Sequence, residues 1–238
     1  MTGTTPRGVT GEQAAARWVR GMFGKIAGRY DLLNHLLSFN LDKRWRRRTI
    51  ERVAPILERR DARVLDLCCG TADVLAGIEK RGKARAFGSD FCHPMLVEAR
   101  RKVTSPLFEA DALALPLTDA SLDLITIAFG FRNLANYRRG LDELLRVLKP
   151  GGVAAILEFS QPRNRVFGAV YGFFSTRVLP VVGGWISGSR DAYSYLPESI
   201  RKFPTAEELA REMRAAGFSR IEFERMTGGA VVLHRAWK

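Results

Sequence analysis

The residues best suited to chemistry surround one short loop at positions 63–73, which read Arg-Val-Leu-Asp-Leu-Cys-Cys-Gly-Thr-Ala-Asp. Asp66 lies in an apolar run, Gly70 marks a turn and Asp73 opens a helical pattern, so a strand, a turn and a helix are predicted. Ligands of parallel α/β sheets bind at such strand ends. Carboxylates beside a nearly solitary glycine do not suit a dinucleotide pyrophosphate, but they suit a ligand with an ammonium and a sulfonium. The loop therefore points to S-adenosylmethionine, although a connection that binds nothing fits it equally well.

Acidic residues also end the next two predicted strands. Residues 84–90 read as the second strand, and Asp90 lies about 20 residues beyond the glycine turn, where an acid can accept hydrogen bonds from ribose hydroxyls. Asp is also common in the turn before a helix, but the spacing favours the ligand. Residues 107–112 read as the third strand. There Asp111 can accept a hydrogen bond from an adenine amino group, and the Ala112 amide can donate one to a ring nitrogen.

The rest of the pattern predicts an α/β sheet with an antiparallel end. Residues 122–129 and 153–159 read as the fourth and fifth strands, with helical patterns between the strands. Two further strands, 221–226 and 230–237, are joined by a short glycine turn. Five α/β units followed by such a hairpin are typical of the seven-stranded, Rossmann-like sheet of class I S-adenosylmethionine-dependent methyltransferases. We therefore predict a methyltransferase domain over residues 61–238.

Two segments stand outside this alternation. Residues 1–60 are predicted to form an N-terminal helical extension that packs on the core, preceded by a disordered lead over residues 1–11. Residues 161–200 are apolar and rich in aromatic side chains, but Arg177, Pro180 and a glycine pair argue against a membrane-spanning helix. We expect this segment to be an insertion that covers a hydrophobic substrate.

The composition favours an anionic partner. Lys and Arg number 38 against 25 Asp and Glu, which gives a net charge of +13. This charge suits a nucleic acid or an acidic membrane surface as the partner, but an Arg-rich composition without such a partner explains it equally well. Residues 42–60 form a dense basic run around Trp45, which can lie at a membrane interface or on a phosphate backbone but is more often a solvated face. Three cysteines and a polar start without a signal sequence predict a cytoplasmic protein, with peripheral contact at the inner face of the cell membrane as a possibility.

With these residues in hand, the chain resembles the ubiquinone/menaquinone-biosynthesis C-methyltransferase family over nearly all of its length after the N-terminal lead. The segments that carry the resemblance are Tyr30-Asp31-Leu32-Leu33-Asn34, Leu37-Ser38-Phe39, Trp45, Val64-Leu65-Asp66-Leu67, Gly70-Thr71, Ile127, Phe129-Gly130-Phe131-Arg132-Asn133, Arg146-Val147-Leu148-Lys149-Pro150-Gly151-Gly152, Leu157-Glu158-Phe159-Ser160, Tyr193-Ser194-Tyr195-Leu196, Glu198-Ser199-Ile200 and Leu233-His234-Arg235. The Lys-Pro-Gly-Gly turn is generic to methyltransferases. The specific segments are Tyr-Asp-x-x-Asn, Phe-Gly-x-Arg-Asn and Tyr-x-Tyr-Leu.

The resemblance implies transfer of a methyl group from S-adenosylmethionine to a ring carbon of a polyprenylated hydroquinone, with demethylmenaquinol to menaquinol as the main expectation. The cofactor contacts expected from the loop and from the resemblance are Asp66, Gly70, Thr71, Asp90, Asp111, Ala112 and Ala128. The last of these replaces a serine that is usual in the family. Cys69 and Ala72 replace family glycines, and His35 and Asp42 replace the usual Asp and His.

The implied chemistry requires an anionic ring. A hydroquinone carbon becomes nucleophilic when a neighbouring hydroxyl loses its proton, and the pKa of a phenol is about 10, so the site must favour the phenolate. Arg132, after the fourth strand, cannot act as a base, but it can stabilise the phenolate, with Asn133 orienting the ring or a water molecule. A structural ion pair is the alternative role for Arg132. The expected substrate contacts are Tyr30, Asn34, Tyr193 and Tyr195.

Other classes of function fit less well. Base-amino methylases usually carry Asn/Asp-Pro-Pro-aromatic after the fourth strand to grip a flipped base, and this chain does not, so no nucleic-acid partner is expected. RNA or another small aromatic molecule is the alternative substrate. A membrane-binding module without activity would not need acids at three successive strand ends. The histidines are scattered and no Cys/His pair has ligand spacing, so no metal is expected. These patterns predict no oligomeric state.

Overall fold

The fold is a single mixed sheet with helices on both faces. The computed structural model describes residues 3–162 and 190–238, apart from the side chains of residues 33, 36, 37 and 190–194. The strands are β1 (Arg63–Leu67), β2 (Arg85–Asp90), β3 (Leu107–Glu109), β4 (Leu122–Ala128), β5 (Leu148–Phe159), β6 (Arg220–Met226) and β7 (Val231–Trp237). Their order is β3-β2-β1-β4-β5-β7-β6, and β7 alone runs antiparallel to its neighbours. The predicted seven-stranded sheet with an antiparallel end is confirmed.

The helices agree with the predicted alternation and extend it. They are α1 (Glu12–Ile26), α2 (Tyr30–Leu37), α3 (Leu41–Leu57), α4 (Asp73–Arg81), α5 (His93–Ala99), α6 (Tyr137–Val147), α7 (Arg190–Lys202) and α8 (Ala206–Ala216). The start of α6 is fixed by Asn136, whose side chain accepts a hydrogen bond from the Arg139 amide at 3.0 Å. Thr205 and Glu208 form a capping box at the start of α8.

Alternating side chains of the central strands fill two separate cores. Leu65, Ile125 and Ile156 belong to the core beneath α6 and α8, whereas the neighbouring residues Val64 and Leu124 belong to the core beneath α3 and α4. Because both faces are covered, the polar groups of the central strands are free to meet a ligand only at the strand ends. The chain order reverses direction between β1 and β4, and the crevice at this switch point is where ligands of doubly wound sheets bind.

The N-terminal lead, residues 1–11, was expected to be disordered. That expectation was wrong, because part of the lead packs on the domain. Residues 3–9 form a segment that we call the N-terminal strap. Thr4 is buried, and its amide donates a hydrogen bond to the carbonyl of Leu134 at 2.8 Å. Lys202 of α7 donates to the carbonyl of Thr5 at 2.9 Å. The polar composition gave no sign of the strap because it is held by backbone and hydroxyl bonds rather than by apolar burial.

The basic run of α3 also differs from expectation. Trp45 is buried against Phe129 and Phe159, and its indole N–H donates to Thr227 at 2.9 Å, so it is a core residue and not an interfacial one. Arg46 is buried as well. The solvent-facing part of the run is therefore smaller than its sequence suggested.

The predicted insertion at 161–200 falls largely outside the described residues, which resume at residue 190 in α7. Among the described residues, no helix has the length and apolar composition needed to cross a bilayer.

Candidate active site

A cleft opens at the carboxyl ends of β1, β2 and β4. It encloses about 720 Å³, open solvent included. Of the predicted site residues, those that line it are Tyr30, Gly70, Asp90, Asp111, Ala112, Ala128 and Asn133. Most of the other lining side chains are apolar, among them Phe91, Met95 and Leu134. A mostly apolar cleft with a few convergent polar groups is the usual form of a small-molecule site.

A second, more polar hollow continues from the cleft beside β1. This hollow, which we call the recess, encloses about 310 Å³, and it is lined by Arg46, Asp66, Cys69, Thr71, Asp73 and Val74 together with Tyr30, Cys68, Gly70 and Ala128, which it shares with the cleft. The structure thus brings Asp66 and Thr71 to the recess, while Asp90, Asp111 and Ala112 lie in the cleft.

The loop after β1 is tied to the end of β2 by one carboxylate. Asp90 is buried, and its two oxygens accept hydrogen bonds from the amides of Gly70 and Cys92, each at 2.9 Å. Gly70 has a φ of 54°, in the left-handed region that glycine adopts without strain. Ala72 also lies there, with a φ of 67°, so the alanine that replaces a family glycine imposes a small conformational cost at this turn.

Burial makes the two acids at the ends of β1 and β2 unusually easy to protonate. It raises the pKa of Asp66 to about 7, although the Thr126 hydroxyl donates to its carboxyl at 2.6 Å and the Leu75 amide at 3.2 Å. Burial also raises the pKa of Asp90 to about 6, against the opposing effect of its amide donors. A cationic ligand in the recess would favour the ionised form of Asp66.

Arg132 lies behind the wall of the cleft rather than in its lining. It is buried, and its Nη1 donates to Glu158 at 2.9 Å and to the carbonyl of Phe129. Burial raises the pKa of Glu158, an effect that the charge of Arg132 opposes, and the Arg132 amide also donates to Glu158 at 3.1 Å. The ion pair that sequence reasoning kept as the alternative for Arg132 is therefore present.

Asn133 faces the cleft with its amide fixed by neighbours. Its Nδ2 lies 3.3 Å from the carbonyl of Phe129, which can only accept, so Oδ1 faces the Tyr195 hydroxyl at 3.0 Å. Tyr195 donates its one hydroxyl proton to Asn133, and it therefore accepts from the Thr4 hydroxyl at 2.6 Å. The strap, α7 and the turn after β4 form one hydrogen-bonded chain, which leaves one N–H of Asn133 available to the cleft.

The remaining predicted substrate contacts divide into two groups. Tyr30 lines both the cleft and the recess, and burial raises the pKa of its phenol, against a hydrogen bond from Asn34. Asn34 lines neither hollow and is joined to the site by its hydrogen bond to Tyr30. Tyr195 is buried and acts through Asn133, while the side chain of Tyr193 lies outside the described residues.

Sequence reasoning missed three residues of this site. Thr4 lay in a lead that gave no structural signal, Arg46 was one of several arginines in a basic run, and Glu158 was named in a segment of the family resemblance but given no role. His35, Asp42 and Asp73 also bring possible metal-ligand atoms within 4.8 Å of one another. Arg46 already supplies a positive charge to these carboxylates, so the cluster gives no reason to expect a metal ion.

Comparisons with known proteins agree with the fold. The model of the ubiE/COQ5 methyltransferase family matches residues 9–238. The chain is 49% identical to the demethylmenaquinone methyltransferase of Thermus thermophilus, over 90% of this chain and 98% of that protein. It is 42% identical to the ubiquinone/menaquinone biosynthesis C-methyltransferase UbiE of Geobacter sulfurreducens, over 92% of this chain and 88% of that protein. A Thermotoga maritima structure described as a SAM-dependent methyltransferase, possible histamine N-methyltransferase, is 19% identical, covers 92% of this chain and 99% of its own, and has a TM-score of 0.64.

The buried acids predict a specific dependence of stability on pH. Because the raised pKa values of Asp66 and Asp90 make the folded state bind more protons, their contribution to stability is complete below about pH 4 and is lost as the pH rises through about 6 to 7. Asp66→Asn should match the wild type near pH 4 and exceed its free energy of unfolding near pH 8 by on the order of 1–4 kcal/mol, measured by urea unfolding. Asp61→Asn, at an exposed acid, is the control and should show no such trend. A pH-independent difference for Asp66→Asn would contradict the assignment.

The strap predicts a local effect on the turn after β4. Thr4→Val removes the donor to Tyr195 and should speed backbone hydrogen exchange over residues 130–135 by about 2- to 10-fold, the range for one net hydrogen bond. Thr10→Val, at an exposed threonine before α1, is the matched control and should leave exchange unchanged. Equal exchange in the wild type and Thr4→Val would show that the strap does not hold this turn.

Proposed function

The chain belongs to the ubiE/COQ5 methyltransferase family, and we propose that demethylmenaquinol is the substrate that it methylates at a ring carbon. It is an S-adenosylmethionine-dependent C-methyltransferase of quinone biosynthesis. The observation that best supports this substrate is the form of the site, in which a largely apolar cleft, suited to an aromatic ring, meets an acidic recess with Asn133 in the wall. The curated relatives named for demethylmenaquinone favour the naphthoquinone ring.

The residues present fit S-adenosylmethionine, which supplies an electrophilic methyl group on a sulfonium when it is bound. Asp90 is proposed to accept hydrogen bonds from the ribose hydroxyls, because its carboxylate lines the cleft at the end of β2. Asp111 and the amide of Ala112 are proposed to bind the adenine, beside the apolar side chains of Phe91 and Met95. Asp66 lies in the recess, where its carboxylate suits the ammonium of the methionyl end. Thr71 lies in the same recess, and Ala128 lines both hollows without a side-chain hydrogen bond.

Asn133 is proposed to act directly on the ring. Its free N–H can donate to a ring oxygen and so favour the phenolate that makes the adjacent carbon nucleophilic. The chain of hydrogen bonds through Tyr195 and Thr4 holds the amide in the orientation that presents this N–H. Tyr30 lies between the cleft and the recess, and its raised pKa keeps the hydroxyl protonated and available as a second donor.

For Arg132 the structure supports a narrower proposal than direct contact with the phenolate. Its guanidinium is buried with Glu158 and bound to the carbonyl of Phe129, so it shapes the turn that carries Asn133. Its positive charge still lies behind the phenolate site, although Glu158 offsets much of that charge. Removing either partner would leave the other charge buried and unpaired, which typically costs about 3–5 kcal/mol. A loss of activity in Arg132→Ala would therefore mix folding with catalysis.

The proposed function is tested by direct assay. We expect the wild type to methylate a short-chain demethylmenaquinol on a ring carbon, as seen by mass spectrometry, and to leave bulk RNA unmethylated. Asn133→Asp removes the donated N–H without changing the size of the side chain, and it should lower turnover by about 10²- to 10³-fold, the scale for one preorganised donor. Its affinity for S-adenosylhomocysteine, measured by calorimetry, should stay close to that of the wild type.

Gln13→Glu, the same change from amide to carboxylate at an exposed residue of α1, should leave turnover unchanged. Parallel losses of turnover and of S-adenosylhomocysteine affinity in Asn133→Asp would indicate a structural role. Methylation of RNA without methylation of the quinol would overturn the proposed substrate.

We also propose that the protein contacts anionic membrane surfaces peripherally, because a polyprenylated quinol is held in lipid. Lys43, Arg44 and Arg47 on α3 are exposed, and the preceding segment exposes the large apolar side chains of Leu32 and Phe39. Three other arginines of the run are held more closely: Arg46 is buried, and Glu224 pairs with Arg48 at 2.9 Å and with Arg52 at 2.6 Å, whereas Arg47 lies 3.9 Å from Glu51. The proposed surface is therefore the α2–α3 corner and not the whole basic run.

This surface predicts salt-sensitive binding to vesicles that contain anionic lipid. Changing Lys43, Arg44 and Arg47 together to glutamine should weaken sedimentation with such vesicles by roughly 100-fold, from about 1 kcal/mol per basic residue. The matched control changes the exposed residues Lys80, Arg81 and Lys83 of another surface, which should have little effect. Equal weakening by the two triple variants would point to net charge alone.

A further inference from the structure

The recess contains acids that suit two of the three charges of S-adenosylmethionine. Its sulfonium and ammonium are cationic, and Asp66 and Asp73 line the recess. The carboxylate of its methionyl end is anionic, and these acids would repel it. A site for the whole zwitterion therefore needs a cation, and among the described residues that line the cleft and the recess the cationic side chain is Arg46.

Arg46 has hydrogen-bonding capacity left over. Its guanidinium carries five N–H donors, and Nη1 is bonded to Asp42 and lies 3.7 Å from Asp73. Neither Nε nor Nη2 has a hydrogen-bond partner among the described residues, and the side chain lines the recess. The guanidinium carbon lies 5.3 Å from the centre of the Phe129 ring. The group is thus held on one side and has free donors at the recess.

Lys102, the other cation near the loop, lacks that capacity. An ammonium has three donors, and the Lys102 Nζ contacts Asp31 at 2.5 Å, Asp73 at 2.7 Å and Thr71 at 3.2 Å. All three donors are therefore occupied, and the side chain does not line the recess. Lys102 braces the loop after β1 and is not free to bind a ligand.

The residues around Arg46 hold it as a cation in one position. Burial alone would raise the pKa of Asp42, but hydrogen bonding to Ser38 and the charge of Arg46 bring it below its usual value, with a further contribution from His35. Asp42 is therefore ionised, with Ser38 donating to its Oδ1 at 2.7 Å, while His35 donates at 2.7 Å to Oδ2, the oxygen that Arg46 also binds. A fixed anion behind the guanidinium orients its remaining N–H groups without occupying them.

We infer that Arg46 binds the carboxylate of the methionyl end of S-adenosylmethionine, and that Asp66 and Arg46 together recognise this end as a zwitterion. The carboxylate accepts from the N–H groups of Arg46 that have no protein partner. The inference rests on the cofactor of the proposed function and not on the quinol. Planar, paired donors of this kind are the usual partners of carboxylates.

The test compares two ligands that differ only in the carboxylate. S-adenosylhomocysteine and its decarboxylated analogue, 5′-deoxy-5′-(3-aminopropylthio)adenosine, are titrated by calorimetry without quinol. The wild type should bind the decarboxylated analogue about 10- to 100-fold more weakly, the range for hydrogen bonds between charged groups. In Arg46→Met that difference should largely vanish, because affinity for S-adenosylhomocysteine falls while affinity for the analogue does not. Arg46→Lys, which keeps a cation for Asp42, should show an intermediate difference.

Lys102→Met is the matched control, and it should change the affinities for the two ligands by the same factor. The inference is overturned if the wild type binds both ligands equally, a result that requires no variant to fold. It is also overturned if Arg46→Met or Arg46→Lys weakens both ligands by the same factor, since Arg46 would then only support the loop. Quinol turnover plays no part in these titrations, so a failure of the proposed substrate would be seen separately in the methylation assay.

Discussion

The carboxyl group of Asp90 accepts hydrogen bonds from the amides of Gly70 and Cys92, and this interaction joins the loop after β1 to the end of β2. These two strand ends line the cleft, which opens beside the switch point between β1 and β4, and the carboxylate of Asp90 holds them together. The same burial raises the pKa of Asp90, so the free protein maintains a charged group in an unfavourable place. A ligand that donates to this carboxylate relieves part of that cost, which is the usual relation between stability and function at such sites.

Charge in this protein is arranged locally, and the net value of +13 says little about its partner. Many of the basic side chains are bound to acids of neighbouring elements: Glu224 of β6 pairs with Arg48 and Arg52 of α3, and Asp119 before β4 pairs with Arg146 of α6. Around the recess, pairing with acids leaves the two cations with different numbers of free N–H donors. All three donors of Lys102 are bonded, whereas Arg46 is bonded to Asp42 alone and keeps free donors. The type of cation therefore decides which residue can still bind a ligand.

The positions of the strand ends could be predicted from the sequence, but the side chains that pack behind them could not. Asp90, Asp111 and Asn133 were predictable because strand periodicity and turn residues fix where each strand stops, and parallel strands bring those ends to one edge. Contacts between distant segments have no such periodicity, so the burial of Trp45 and of Thr4 could not be predicted. His35 and Asp42 illustrate this limit: they are two departures from the usual family residues, and the structure shows that they contact each other at 2.7 Å.

Phe129 connects the two halves of the site. It follows β4 with a φ of 62°, its carbonyl accepts from Arg132 and Asn133, and its ring packs beneath the guanidinium of Arg46. The next residue, Gly130, lies so close to Cys68 that an added Cβ would come within 2.4 Å of the cysteine Cβ. The wall that carries the proposed ring donor is thus packed directly on the cofactor loop and on the proposed carboxylate anchor. Because packed interiors transmit displacements, we expect a shift of the loop after β1 to move the turn that carries Asn133.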